Sequence, residues 1–189
     1  RRRIAASVWI LVFAASVVLV LRHAWVSDDV YITFRYCDNV LAGRGPVYNP
    51  GERVEGYTHF LWFLLLTLGR ALGVGAEALG KVLPLPAYAG SLLLLARISG
   101  HLFPGRNGMP GGGKSQDRAL RGGLLGIPVA ALAWAALEDA RLYGSGGLET
   151  SLFGFVLLLG FDILCFSKRA RAGALAGWAY AVACLVRPE

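Results

Sequence analysis

Residues 4–21 (IAASVWILVFAASVVLVL) run without a single charge, and that feature limits what the chain can fold into more than any other. At the helical rise of ~1.5 Å per residue the stretch spans about 27 Å, close to the ~30 Å hydrocarbon core of a bilayer. It predicts a first transmembrane helix. A secretory signal peptide is the competing reading, because Arg1-Arg2-Arg3 precedes the stretch; no small-x-small cleavage site, however, stands before Arg22. Further apolar runs at 59–75, 82–98, 122–137, 152–166 and 173–186 are separated by short Gly-rich or basic joints. They leave no room for a soluble core, and the expected fold is all-α and polytopic.

Charge decides the topology. Only 16% of the residues are charged, against roughly 25% in an ordinary soluble domain, which excludes disorder, collagen and a nucleic-acid-binding arm. The net charge of +7 comes from 19 basic residues, 16 of them Arg, many flanking apolar runs as membrane-loop charges do. No nucleic-acid partner is expected. If all six runs span and the amino terminus is cytoplasmic, six basic residues lie inside and twelve outside, reversing the positive-inside rule. If 59–75 instead lies flat at the interface, eleven lie inside and eight outside. Arg70, Gly69, Gly73 and Gly75 weaken that run as a buried helix, so the expectation is about five spans plus interfacial helices. Residues 22–81 and 138–151 then share one outer face with Glu189, and ten of the twelve Asp and Glu fall there, with Asp117 inside and Asp162 within a span.

The outer loop 27–58 (SDDVYITFRYCDNVLAGRGPVYNPGERVEGYT) is the most informative stretch. Ser27 or Asp28 can cap a helix whose first turn carries two carboxylates, favourable near the positive end of the dipole. Val30, Phe34, Cys37 and Leu41 fall on one stripe, while Asp28, Arg35 and Asn39 share another face. Gly43 is a C-terminal stop and Asn49-Pro50-Gly51 a turn. For Asp28-Asp29 two readings stand side by side: helix capping with solvation, or a reactive acid pair at head-group depth. The pair is also able to give hard oxygen ligands to Mg²⁺, Mn²⁺ or Ca²⁺. Cys37, Cys165 and Cys184 have no metal-ligand spacing.

The stretch SDDVYITFRYCDNVLAGRGPVYNPGERVEGYTHFLW resembles the first extracytoplasmic loop of the GT-C superfamily, polytopic glycosyltransferases that use polyprenyl-phosphate sugars, and especially the bacterial branch related to cell-wall arabinofuranosyltransferases. SGGLETSLF (145–153) resembles that branch's SGLETPLF block, and LVRPE (185–189) its L-[TV]-R-P-E block. The resemblance implies a multi-pass protein of the inner (plasma) membrane, its catalytic face outside, with juxtamembrane helices in the first loop. It implies an Asp-Asp pair, here Asp28 and Asp29, at a centre that moves a sugar from a polyprenyl-phosphate donor to a glycan, lipid or protein acceptor with inversion. Residues 1–189 read as the amino-terminal part of that module: first span 4–21, outer loop 22–81, further spans 82–189. The chain lacks an initiator Met and stops at Arg187-Pro188-Glu189, so it reads as a piece of a longer chain, expected to be inactive by itself. The Gly-rich insertion at 104–123 departs from the short basic joint expected there.

Sugar transfer to a hydroxyl needs a base for the acceptor proton and cationic stabilisation of the departing phosphate. Asp28 and Asp29 suit the first task. Arg35, Arg53 and His59 are the candidates for gripping phosphate; for Arg35, snorkelling to head groups is the bland alternative. Glu55 either pairs with Arg53 or binds sugar hydroxyls. Glu149 either binds substrate or begins the next span, capped through Thr150 and Ser151. Arg187 and Glu189 close the outer face. Gly108 to Ser115 (GMPGGGKS) satisfies the GxxxxGK[ST] pattern, but apolar runs rather than strands flank it, so no nucleotide is expected. The competing function is a non-catalytic membrane scaffold or transporter fragment, in which Arg70 or Asp162 matters more than the acid pair.

Overall fold

A computed structural model describes residues 2–52, 54–102 and 128–188, with side chains from residue 7 onward. The described residues are all helical, with no strand: α1 (Arg2–Arg22), α2 (Asp28–Leu41), α3 (Phe60–Ala71), α4 (Ala76–Val82), α5 (Leu85–Leu102), α6 (Val129–Ala136), α7 (Glu138–Leu142), α8 (Thr150–Phe166) and α9 (Ala172–Val186). Helices α8 and α9 form a hairpin; α5 packs on α8, α1 and α6 pack on α5, and the α2–α3 pair joins the bundle where α3 meets α9.

One helical stretch among the described residues, Ala76–Leu102, is long and apolar enough to cross a bilayer. It is α4 and α5 run together through a turn at Leu83–Pro84, so it extends beyond the 82–98 expected from hydropathy. Ser7–Arg22, Phe60–Ala71, Thr150–Phe166 and Ala172–Val186 are shorter apolar helices. Helix α3 covers 12 residues, about 18 Å of rise, and is too short to cross a ~30 Å core alone. The glycines that weaken the 59–75 run also end the helix: Gly73 sits at φ 82°, donating its N–H to the Arg70 carbonyl while Val74 donates to Gly69, a Schellman stop.

The outer segment folds around α2. Val30, Phe34 and Cys37 are buried as their spacing predicts, with Thr33 and Tyr36 beside them. They meet Trp62, Phe63 and Leu66 of α3 and Leu79 of α4 in one cluster. One expectation for this helix needs correcting, and one residue has a cover that its angle does not show. Leu41, the last member of the stripe, is 46% exposed, because the helix is already ending; Gly43 at φ 74° takes the left-handed position and Arg44 N–H closes back on the Asn39 carbonyl. Asn39 is fully buried although it lies in angle beside exposed Asp28 and Arg35. Its amide donates to the carbonyls of Val47 and Tyr48, so the returning loop covers it. The Asn49-Pro50-Gly51 turn forms as expected, with Gly51 at φ 94° and Glu52 N–H bonded to the Asn49 carbonyl. Arg70 of α3 closes the pair from the other end, donating Nε to Asp38 Oδ1 at 3.0 Å and Nη1 to the Val74 carbonyl.

Candidate active site

The acid pair opens α2, and the segment 145–149 holds that opening in place. Ser27 is the N-cap residue in extended conformation, but its side chain makes no capping hydrogen bond; its N–H instead donates to the Gly146 carbonyl at 2.9 Å. Trp62 Nε1 donates to the Gly147 carbonyl at 2.9 Å, and Trp25 Nε1 to the Leu142 carbonyl at 3.1 Å. Gly147 sits at φ 81°, with the Val30 methyls 3.1–3.2 Å from where a Cβ would stand. Residues 27–30 and 145–149, far apart in sequence, thus form one junction. Asp28 and Asp29 project from it as exposed carboxylates; neither has a hydrogen bond or ion pair among the described residues.

The same junction gathers a second group. Asp29 and Thr33 lie one turn apart on α2, sharing a face. Thr33 Oγ1 is 3.0 Å from His59 Nε2, and His59 Nδ1 is 4.0 Å from Glu149 Oε2. Thr33 is 2% exposed, and both His59 and Glu149 are largely shielded. Burial pushes the His59 pKa below its ordinary 6.5, and the nearby Glu149 carboxylate opposes that shift. The imidazole is thereby favoured in its neutral form. Glu149 does not cap α8, since no side-chain cap bond forms there, and Ser151 Oγ donates to the Tyr143 carbonyl instead.

The remaining candidates are distributed unevenly. Arg35 lies two turns along α2 from Asp28, about 10 Å away along the axis, and donates Nε to the Tyr48 carbonyl at 3.3 Å. Glu55 lies further along, in a groove of about 470 Å³ beyond Asn39. Arg187 follows α9 directly. Gly160 faces Tyr180 and Val156 packs with Ala183, so the register of the α8–α9 hairpin puts Arg187 at the same end as Glu149. Arg53, Glu189 and the 108–115 motif lie outside the described residues. Thr33 escaped the sequence reading because a lone Thr on an amphipathic helix carries no signal, and its partner is 26 residues away. Gly147 left a trace: a Gly-Gly step before an apolar helix is where a left-handed residue is expected.

Among the described residues no group of three or more His, Cys, Asp and Glu converges as a metal cluster. Asp28 and Asp29 still fit the way Mg²⁺ is commonly held, by one or two carboxylates with water and substrate phosphate completing the shell.

No family model and no solved structure matches the chain. It is similar to the terminal beta-(1->2)-arabinofuranosyltransferase of Mycobacterium tuberculosis, 33% identical over 198 aligned residues that cover 98% of this chain and 30% of the relative. A second relative, the protein of the same name from Corynebacterium glutamicum, is 58% identical over 38 residues, 20% of this chain and 6% of its own length. The chain therefore spans about 30% of the length of the first of these relatives, and the similarity to it extends over nearly all of this chain.

Proposed function

We propose that this chain forms the amino-terminal part of a GT-C-type membrane glycosyltransferase that moves a sugar, an arabinofuranosyl unit by its relatives' names, from a polyprenyl-phosphate donor to a cell-envelope glycan, lipid or protein. The observation that carries the reading is the likeness to an arabinofuranosyltransferase over 98% of the chain. The geometry supports it through an unpartnered acid pair fixed at a helix start by the segment 145–149. In the proposed step the acceptor oxygen attacks the anomeric carbon and its proton passes to Asp28 or Asp29. The bond from that carbon to the phosphate oxygen breaks, the lipid phosphate leaves, and the anomeric configuration inverts. Such a base contributes roughly 10²–10⁴-fold. A divalent cation held by Asp28 and Asp29, when bound, would neutralise charge on the departing phosphate. His59, held by Thr33 and set against Glu149, would orient substrate as a neutral donor; Arg35, Arg53, Arg187, Glu55 and Glu189 are the further substrate candidates.

The membrane arrangement belongs to the same proposal: spans at 4–21, 82–98, 122–137, 152–166 and 173–186 in the plasma membrane, with 22–81 outside. Large apolar side chains exposed on α1, α5, α8 and α9 support it, since a soluble surface would not carry them in such density. The test is Asp28→Asn and Asp29→Asn in the full-length protein, assayed for transfer from a lipid-linked sugar. Loss of about 10²–10⁴-fold is expected. Unchanged turnover in both variants overturns the reading and leaves a scaffold or transporter role; a cytoplasmic location for residues 28–58 in topology mapping overturns it equally.

A further inference from the structure

The groove beyond the far end of α2 takes no part in the bond making and breaking described above, yet side chains of α2 hold both its walls. One wall is residues 44–47 and the other Val54, Glu55 and Tyr57, around a volume of about 470 Å³, within the ~300–1,000 Å³ range of small-ligand sites. The first wall is held by buried Asn39, whose amide donates to the Val47 and Tyr48 carbonyls and whose Oδ1 accepts from Arg44 Nε at 2.8 Å. The second is held by Tyr36, whose hydroxyl donates to the Val54 carbonyl at 2.8 Å. Tyr57 is fixed in turn, stacked on Phe63 at 4.6 Å and edge-on to Tyr36 at 5.1 Å between ring centroids. Tyr36 and Asn39 are three residues apart on one helix face, so a single rigid element sets the width of the groove.

Two charged groups face this space with capacity to spare. Only Nε of the Arg44 guanidinium is engaged among the described residues, and the Glu55 carboxylate has no partner there. Arg44 brings donors from one wall, and Glu55 brings acceptors from the other beside the Tyr57 ring. That pairing of donors with acceptors suits a neutral ligand rich in hydroxyls, which both donate and accept. The groove lies about 16 Å along α2 from Asp28, at ~1.5 Å per residue. A single sugar at the acid pair does not reach it, whereas an extended glycan does.

We infer that this groove is a distal acceptor subsite, in which Arg44, Glu55 and Tyr57 hold a neutral oligosaccharide at a point remote from the one being glycosylated. The inference rests on the proposed transferase reading. Binding energy gathered there serves to place the reacting hydroxyl at the acid pair, so long acceptors gain over short ones.

The test measures binding of a fluorescently tagged neutral arabinofuranose hexasaccharide and of the matching disaccharide to the full-length protein, with Arg44→Gln and Glu55→Gln as variants. Each variant is expected to weaken hexasaccharide binding about tenfold, the scale of one charge-assisted hydrogen bond, and to collapse its advantage over the disaccharide. Glu55→Gln is nearly isosteric at an exposed position without a partner among the described residues, so it separates binding from folding if Arg44→Gln disturbs the loop; melting temperatures of both are read alongside. An unchanged hexasaccharide-to-disaccharide ratio in a folded Glu55→Gln protein overturns the inference, as does displacement of the hexasaccharide by inorganic phosphate. If Asp28→Asn abolishes transfer while Glu55→Gln leaves the ratio intact, this inference fails and the transferase reading stands. A length preference that Glu55→Gln abolishes, in a protein without transfer activity, sustains the subsite and overturns the transferase reading.

Discussion

Helices α2 and α3 meet through large side chains, and helices α8 and α9 through small ones. In the first pair one stripe of each helix is buried, while Tyr31 and Ile32 of α2 and Phe60, Leu64 and Leu68 of α3 stay exposed. Large side chains (Phe34, Trp62, Phe63 and Leu66) fill the contact, and the buried polar groups Thr33 and Asn39 each find a partner. In the second pair the contact is made by small residues, Ala179 and Ala183 against Val156, with Gly160 under the Tyr180 ring. The large apolar groups point outward, Trp178 at 73% exposure and Leu164 at 53%. Small residues at the contact with large ones outside is how helices associate in lipid, where burying hydrocarbon gains nothing and close backbone approach gains dispersion. The difference separates two tasks: α2–α3 carries the acid pair and Thr33, and the α8–α9 hairpin brings Glu149 and Arg187 to one end.

The comparison breaks most readily at Gly160. Gly160→Leu puts a side chain where the Tyr180 ring stands 2.8 Å from an added Cβ. A loss of ~2–3 kcal/mol is expected, on the scale of overpacked cores, seen as a lower melting temperature in detergent micelles; an unchanged value would mean the hairpin is not packed this way. Gly147→Ala strikes the junction between the two regions, combining a positive φ with contact on Val30. About 1–2 kcal/mol is expected, together with reduced transfer, because the Gly146 and Gly147 carbonyls that hold Ser27 and Trp62 shift. A substitution that lowers stability without touching transfer would show that the junction does not position the acids.

Smaller effects sharpen the comparison. The folded His59 pKa lies below its ordinary 6.5, so the unfolded chain binds the proton more readily. This contribution to stability is whole above about pH 6.5 and is lost as pH falls toward the depressed folded value. Unfolding midpoints measured from pH 7 down to pH 5 should fall more steeply in the wild type than in His59→Gln, and parallel curves would remove His59 from the buried group. The smallest effect is expected at Trp178. If its exposed ring faces lipid, Trp178→Leu changes stability in lipid bilayers by less than about 0.5 kcal/mol, whereas Trp62→Leu, deep in the α2–α3 contact, costs several times more.

Much of this arrangement is legible along the chain. The helices at 28–41 and 60–71 follow from stripes of apolar residues with glycines beyond them, and the Gly43 stop needs only the rule that a left-handed C′ position favours glycine. Asn39 is buried although it shares a face with exposed Asp28 and Arg35, because angular position on a helix says which residues share a face, not whether a loop returns to cover it. The hydropathy runs at 152–166 and 173–186 match α8 and α9 to within two residues, whereas the 82–98 run grows at both ends through α4 and α5. Apolar composition carries no information about where a helix begins when the flanking turn is itself helical.

By itself the sequence determined the helical class, the loop that carries the acids and the order of the three blocks, because periodicity, charge and glycine act over a few residues at a time. Only the tertiary structure decided that Ser27 meets Gly146, that Thr33 meets His59 beside Glu149, and that Tyr36 and Asn39 hold the two walls of one groove. Each of these pairings closes a loop whose ends the chain's local preferences leave independent, and their geometry is set when the α2–α3 cluster and the 145–149 turn pack together.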